Sequence, residues 1–334
     1  MVAVTRAKST TPGSVNKILT TNTVKNVIVK KTVVKKKTVI KKKPALTKTR
    51  SDLEDLLQDV SIPDDLALPE EYVAYHTPEF ISGIEHILQV DRSLYPAIVH
   101  ANFPRFSKTE SDKPKDVICH YWYSLIASVI SQQVSGASAR AIEARFKALF
   151  NGEKPTPEIT LKFSFDQLRS AGLSNMKAKY VESISQAFAD PNCKLTHLEF
   201  YENSSLEEIV DELVKLKGIG VWSAKMFSIF TLGEMDVFAE DDLGIARGMA
   251  KYLTRRPDLM KEIKQACADD EAIQVWLKRK AKFAKNDSKR NWNPVHDAYV
   301  EFASRKFAPH RTALMMIMWR LGSTNIEVLE KLDE

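Results

Sequence analysis

From residue 72 onward the apolar residues recur at intervals of three and four, and no segment alternates convincingly as a strand would. That spacing restricts what the chain can fold into. CHYWYSLIASVISQQVSGASARAIEARFKALF (119–150) carries the helical interval on both sides of a polar turn, and 11 glycines in 334 residues leave little room for β-hairpins. SSLEEIVDELVKL opens with a capping box, either Ser204 with Glu207 or Ser205 with Glu208, which satisfies two otherwise orphaned N–H groups. It then sets Leu206, Ile209, Val210, Leu213 and Leu216 along one face. The core is expected to be all-α.

Charge divides the chain into three parts. Residues 1–50 hold 14 Lys and Arg and no acid, and residues 51–71 hold 8 Asp and Glu and no base. The remaining 72–334 carry 35 of each sign, so the excess of positive charge belongs to the tail. Like-charge repulsion and the lack of a buriable face predict that 1–50 is disordered until bound, followed by an acidic linker over 51–71 and a folded domain over 72–334. Lys35 to Lys37 and Lys41 to Lys43 suit a nuclear localisation signal or a non-specific DNA arm. A mitochondrial presequence is the alternative, but such leaders favour arginine and this tail is lysine-rich. No apolar run nears the ~18 residues of a membrane span, so no membrane association is expected. Cys119, Cys193 and Cys267 are widely separated and in no metal-binding spacing, which predicts reduced thiols and no metal site.

The neutral domain must bind any nucleic acid through placed groups rather than bulk charge. LKGIGVWSAKMF, at 216–227, supplies such groups. Gly218 stands where a left-handed residue would end a helix, Gly220 follows, and a second apolar helix starts almost at once. The start of that second helix offers free N–H groups and a positive dipole end, to which a phosphate can come close where side chains are lacking. Two glycines in an αα-hairpin are by themselves a weak pattern.

Followed by DVFAEDDLGI, the hairpin resembles the helix-hairpin-helix, loop and aspartate signature of base-excision DNA glycosylases. It is most similar to the alkylation-repair branch, the DNA-3-methyladenine glycosylases of the bacterial type II enzyme and its fungal relatives. LIASVISQQVSGASARAI, AGLSNMKAKYVESI and FAPHRTALMMIMW resemble further family segments in the right order, over about 90–322. The resemblance implies two helical subdomains with an active-site cleft between them. It also implies a monomer that acts on alkylated bases in double-stranded DNA.

The resemblance assigns the catalytic carboxylate to Asp242, 20 residues after Trp222, leaving Glu240 and Asp241 as cap or surface residues. A carboxylate close to C1′ stabilises the positive charge that develops on the sugar as an N-glycosidic bond breaks. Without the hairpin upstream, three acids at a helix start are explained by capping alone. Trp222 and Trp319 match aromatic base-pocket positions, where a flipped, cationic alkylated purine would stack. Met226 stands where the bacterial relative has an aromatic residue. Gln133, with Gln132 beside it, matches the wedge that fills the gap left by flipping. Ser174 and Lys177 begin a helix that is a second candidate phosphate contact, besides Gly218 and Gly220.

Members of the family that also cut the DNA backbone attack the sugar with a lysine. Trp222 occupies that position, so a monofunctional enzyme is expected. Lys225 lies about 300° further round the helix and is not given the role. The four-cysteine motif of iron–sulfur relatives is absent, so no cofactor is implied. Two alternatives stay open, a bifunctional oxidised-base glycosylase and a non-catalytic helix-hairpin-helix DNA-binding module. The basic stretch 277–290, with seven bases and one acid, flanks DNA or is an exposed charged helix.

Overall fold

A computed structural model describes residues 60–108, 114–283 and 292–322. The expectations for the tail, for 51–59 and for the second half of the basic stretch lie outside these residues. Among the described residues there is no strand, only an isolated antiparallel bridge between His76 and Ser107. None of the described helices is long and apolar enough to cross a membrane.

The longer helices are α1 (Pro78–Val90), α2 (Val117–Ser131), α3 (Gly136–Ala148), α4 (Asn175–Ala189) and α5 (Leu206–Leu213). They continue as α6 (Val221–Phe227), α7 (Leu243–Thr254), α8 (Pro257–Ala268), α9 (Asp297–Ser304) and α10 (Arg311–Gly322). Most starts have a residue whose side chain satisfies an orphan N–H. Thr77, Asp116, Ser135, Ser174, Ser205 and Asp242 each cap a helix in this way. Of the two capping boxes allowed by the sequence, Ser205 with Glu208 forms.

Two apolar cores result. One is built from the middle of the chain, with Trp122, Leu125, Ile126 and Val129 of α2 packed among Val181 and Ile184 of α4 and Ile209 and Leu213 of α5. The indole of Trp122 is buried and donates to Ser185 Oγ (3.1 Å). The other core joins the N-terminal segment to α7, α8, α9 and α10. The apolar face of α6 is divided, Ala224 and Phe227 entering the first core and Met226 the second. This matches the expected pair of helical subdomains, and α6 is one of the elements that contribute to both cores.

The segment read as an acidic linker is part of the fold from residue 60. Val60, Ile62, Leu66 and Leu68 pack against the second core, and Tyr95 Oη donates to the carbonyl of Ala67 (2.7 Å). The apolar residues between its acids meet the core, and Asp64 lies 3.9 Å from the Arg92 guanidinium. Another anchor holds α10 to the same region. Arg320, 5% exposed, donates to the carbonyls of Ala97, Ile98 and Asn102 and lies 3.6 Å over the Phe103 ring.

Helices α7 and α10 cross very closely. A Cβ on Gly248 would overlap the carbonyl of Met318, and one on Gly322 would overlap that of Gly244. This crossing brings the C-terminal end of α10 against the N-terminal end of α7.

Candidate active site

The turn between α5 and α6 is tighter than the sequence indicates. Regular helix ends at Leu213, and the last turn closes through Leu216 N to the Leu213 carbonyl and Ile219 N to the Leu216 carbonyl (both 3.1 Å). Gly218 adopts the left-handed conformation, with φ 91°, where the ring of Tyr180 also leaves no room for a side chain. Ile219 is buried and anchors the turn. Gly220 is the N-cap of α6, has no side-chain cap, and faces open space where a Cβ would stand. The start of α6 is therefore bare, as anion binding requires.

From α6 the backbone passes through a π-helical stretch, Ser228–Leu232, and a loop to Asp242. That loop is fixed to the start of α10. Asp236 and Arg311 pair in bidentate fashion (2.7 and 2.8 Å), and Thr312 Oγ1 accepts from Val237 N and donates to the Glu234 carbonyl. Burial alone would raise the Asp236 carboxyl, but the hydrogen bonds from Arg311 outweigh it and hold it below the usual range.

The three adjacent acids have separate fates. Glu240 pairs with Lys225 (3.0 Å) and Asp241 with Lys282 (2.7 Å), so each is neutralised by a neighbouring base. Among the described residues, no cation pairs with Asp242. Its Oδ1 accepts from Ile245 N (3.0 Å) and from Trp319 Nε1 (2.7 Å), and its Oδ2 accepts from Trp222 Nε1 (2.9 Å). The cap and the candidate catalytic group are thus one residue, which corrects the expectation that Asp241 caps the helix. Only the residue directly before the first helical position can reach the N–H groups of that turn, and α7 begins at Leu243.

Trp222, Trp319 and Asp242 come together although they are up to 97 residues apart in sequence. Trp222 is 44% exposed. Met226 is buried in the core and offers no ring surface here. An aromatic residue missed by sequence reasoning is Phe230, which is exposed and lies nearly parallel to Trp319 (15°, centroids 6.2 Å apart). Arg105 stands over its ring at 5.5 Å. Nothing in the periodicity marks Phe230, because the π-helical stretch turns it away from the register that a regular helix would give.

Other candidates are dispersed around this centre. Gln133 is exposed at the apex of the turn between α2 and α3, with φ 55°. Beside it, Gln132 Nε2 donates to the carbonyl of Gly218 (2.8 Å) and ties the turn to the hairpin. Ser174 caps α4 by accepting from Lys177 N (3.3 Å). The Lys177 ammonium donates to the carbonyl of Ile130 (2.7 Å) in the last turn of α2. Carbonyls there lack helical partners, and burial at this contact lowers the Lys177 pKa. Lys225 is held by Glu240, away from Asp242, as its position round the helix implies.

Residues 126–270 match the family described as HhH-GPD superfamily base excision DNA repair protein. The chain is 38% identical over 280 residues to the DNA-3-methyladenine glycosylase of Saccharomyces cerevisiae, covering 82% of this chain and 90% of the relative. It is 35% identical over 158 residues to DNA-3-methyladenine glycosylase 1 of Schizosaccharomyces pombe, covering 46% and 68% respectively. A solved structure of the DNA-3-methyladenine glycosidase from Bacillus halodurans aligns with a TM-score of 0.50 at 25% identity, over 77% of this chain and 95% of that one. With a glycine-bearing hairpin, an aspartate 20 residues beyond its tryptophan and a close relative along most of its length, the chain belongs to the HhH-GPD superfamily of base excision DNA repair proteins.

Proposed function

We propose that the chain is a monofunctional DNA glycosylase that flips alkylated purines of the 3-methyladenine and 7-methylguanine class out of double-stranded DNA. It hydrolyses the N-glycosidic bond and leaves an abasic site. The observation that carries this reading is the carboxylate of Asp242, paired with no cation among the described residues and bounded by two indoles, one of them 44% exposed.

Asp242 stabilises the positive charge that develops on the sugar, or orients the attacking water. The faces of Trp222 and Trp319, extended by Phe230, provide an electron-rich surface for a base that is already cationic and leaves without a strong general acid. Pairing of Glu240 and Asp241 with lysines limits repulsion of the DNA backbone at this loop. The bare start of α6 at Gly218 and Gly220, together with Ser174 at the start of α4, takes phosphates, and Gln133 fills the gap left by the flipped base. The hairpin position that holds the attacking lysine in bifunctional relatives is Trp222 here, and Lys225 is paired with Glu240.

The enzyme acts as a monomer in the nucleus, and the lysine-rich tail provides import and non-specific DNA affinity. Deleting residues 1–50 should displace it from nuclei while leaving excision largely intact. Unchanged nuclear import would count against that signal.

Incubation with methylated duplex DNA tests the activity. Base release without strand nicking is expected. Nicking with a borohydride-trapped adduct would point to the bifunctional alternative, and DNA binding without base release to the non-catalytic module.

A further inference from the structure

Asp242 is held by more than a helix start needs. An N-cap satisfies one backbone N–H, here that of Ile245, yet two indole N–H groups also converge on this carboxylate. A carboxylate has about four lone-pair sites. Oδ1 accepts from both Ile245 N and Trp319 Nε1, whereas Oδ2 accepts from Trp222 Nε1 alone. Oδ1 is therefore saturated, and Oδ2 retains a site for a water or a developing cation.

The approach of Trp319 depends on a missing side chain. Gly244 is the second residue of α7, and a Cβ there would lie 2.6 Å from Trp319 Cδ1, 3.1 Å from its Nε1 and 3.1 Å from Asp242 Oδ1. The backbones cannot give way, because α7 and α10 already touch at Gly248 and Gly322. Added volume at Gly244 would instead displace the indole, away from the carboxylate.

Building on the glycosylase reading above, we propose that Trp222 and Trp319 are positioning residues for Asp242, that Gly244 admits Trp319 to it, and that Oδ2 is the oxygen presented to the sugar. The two rings then serve twice. Their faces meet the base, and their N–H edges aim the carboxylate.

Trp222→Phe and Trp319→Phe separate these roles, because each keeps an aromatic face and removes the donor. Gly244→Ala leaves both faces and both donors in place and shifts only the geometry. With full-length protein and duplex DNA carrying a single 7-methylguanine, the single-turnover excision rate of each variant should fall roughly 10- to 100-fold, the scale of an ångström's misplacement of a reacting group. DNA affinity, read by fluorescence anisotropy, should stay within about twofold, since ground-state binding is not what the donors serve.

An independent readout comes from the indole N–H resonances of the five tryptophans. Those of Trp222 and Trp319 should move most in Asp242→Asn. Wild-type excision rates in both phenylalanine variants would overturn the proposal. So would a rate loss matched by lost affinity while Gly244→Ala stays normal, because that pattern belongs to stacking. A wild-type protein that releases no base would instead refute the glycosylase reading itself.

Discussion

At Asp242 one side chain has two duties that ordinary substitutions can separate. Its Oδ1 caps α7, and an asparagine there keeps an oxygen for the Ile245 N–H while losing the charge. Asp242→Asn should therefore abolish base release with DNA binding retained and thermal stability nearly unchanged. Asp242→Ala should lose activity and also about 1 kcal/mol of stability, the usual cost of a missing cap. Asp241→Asn serves as the control, because among the described residues Asp241 pairs with exposed Lys282, and it should excise normally. Loss of excision in Asp241→Asn but not in Asp242→Asn would reverse the assignment. The neighbouring glutamines divide in the same way. Gln133→Ala should weaken excision from duplex DNA, where a flipped base leaves a gap, more than from single-stranded DNA. Gln132→Ala should instead loosen the turn from the hairpin, because its partner is the carbonyl of Gly218.

Among the elements, the hairpin depends on a backbone conformation that only glycine adopts readily. Gly218→Ala would force a side chain into the left-handed region and against Tyr180, at a cost of at least about 1–2 kcal/mol. A lowered melting temperature together with weakened DNA binding is the expected result. Gly220→Ala would meet no neighbour, so its effect should appear in DNA affinity and hardly in stability. Sequence reasoning located this hairpin because glycine spacing and apolar periodicity are local properties. It overran the end of α5, since a final turn closed by shorter-range hydrogen bonds keeps nearly the same apolar spacing as regular helix. Phe230 escaped for a related reason, as the π-helical register changes which face a residue meets.

On the scale of the whole molecule, α10 links the site to the N-terminal segment. Trp319 reaches Asp242 while its neighbour Arg320 donates to three carbonyls of residues 97–102. Burial pushes the Arg320 guanidinium down to about 10, still far above neutrality. Arg320→Met would leave those carbonyls without a charged donor and should cost about 3 kcal/mol or more, read by denaturant unfolding. Acid sensitivity has a source in the same segment. His76 donates through Nδ1 to the Tyr72 carbonyl (2.7 Å) and accepts through Nε2 from Phe103 N (2.8 Å), an arrangement open only to the neutral ring. Burial lowers its pKa below 6.5, with Arg320 and Lys108 adding to the effect. The unfolded chain then takes up the proton first, so stability is full above about pH 6.5 and declines as pH falls towards the folded-state value. Melting temperatures measured from pH 7 to pH 5 should show that decline, and His76→Gln should reduce its steepness.

The sequence by itself determined the helical class, the glycine hairpin, the aspartate 20 residues beyond Trp222 and the lack of a lysine at that position. These depend on neighbours within a few turns, so spacing encodes them directly. Only the tertiary structure decided that Asp242 rather than Asp241 carries the cap, that Gln132 and Lys177 each bond a backbone carbonyl, and that Phe230 lies beside Trp319. The meeting of Trp319 with Asp242 likewise required α7 and α10 to approach through Gly244, Gly248 and Gly322. Contacts of this kind join residues far apart in the chain. They are fixed by how closely two packed helices can approach, which no local pattern of residues records.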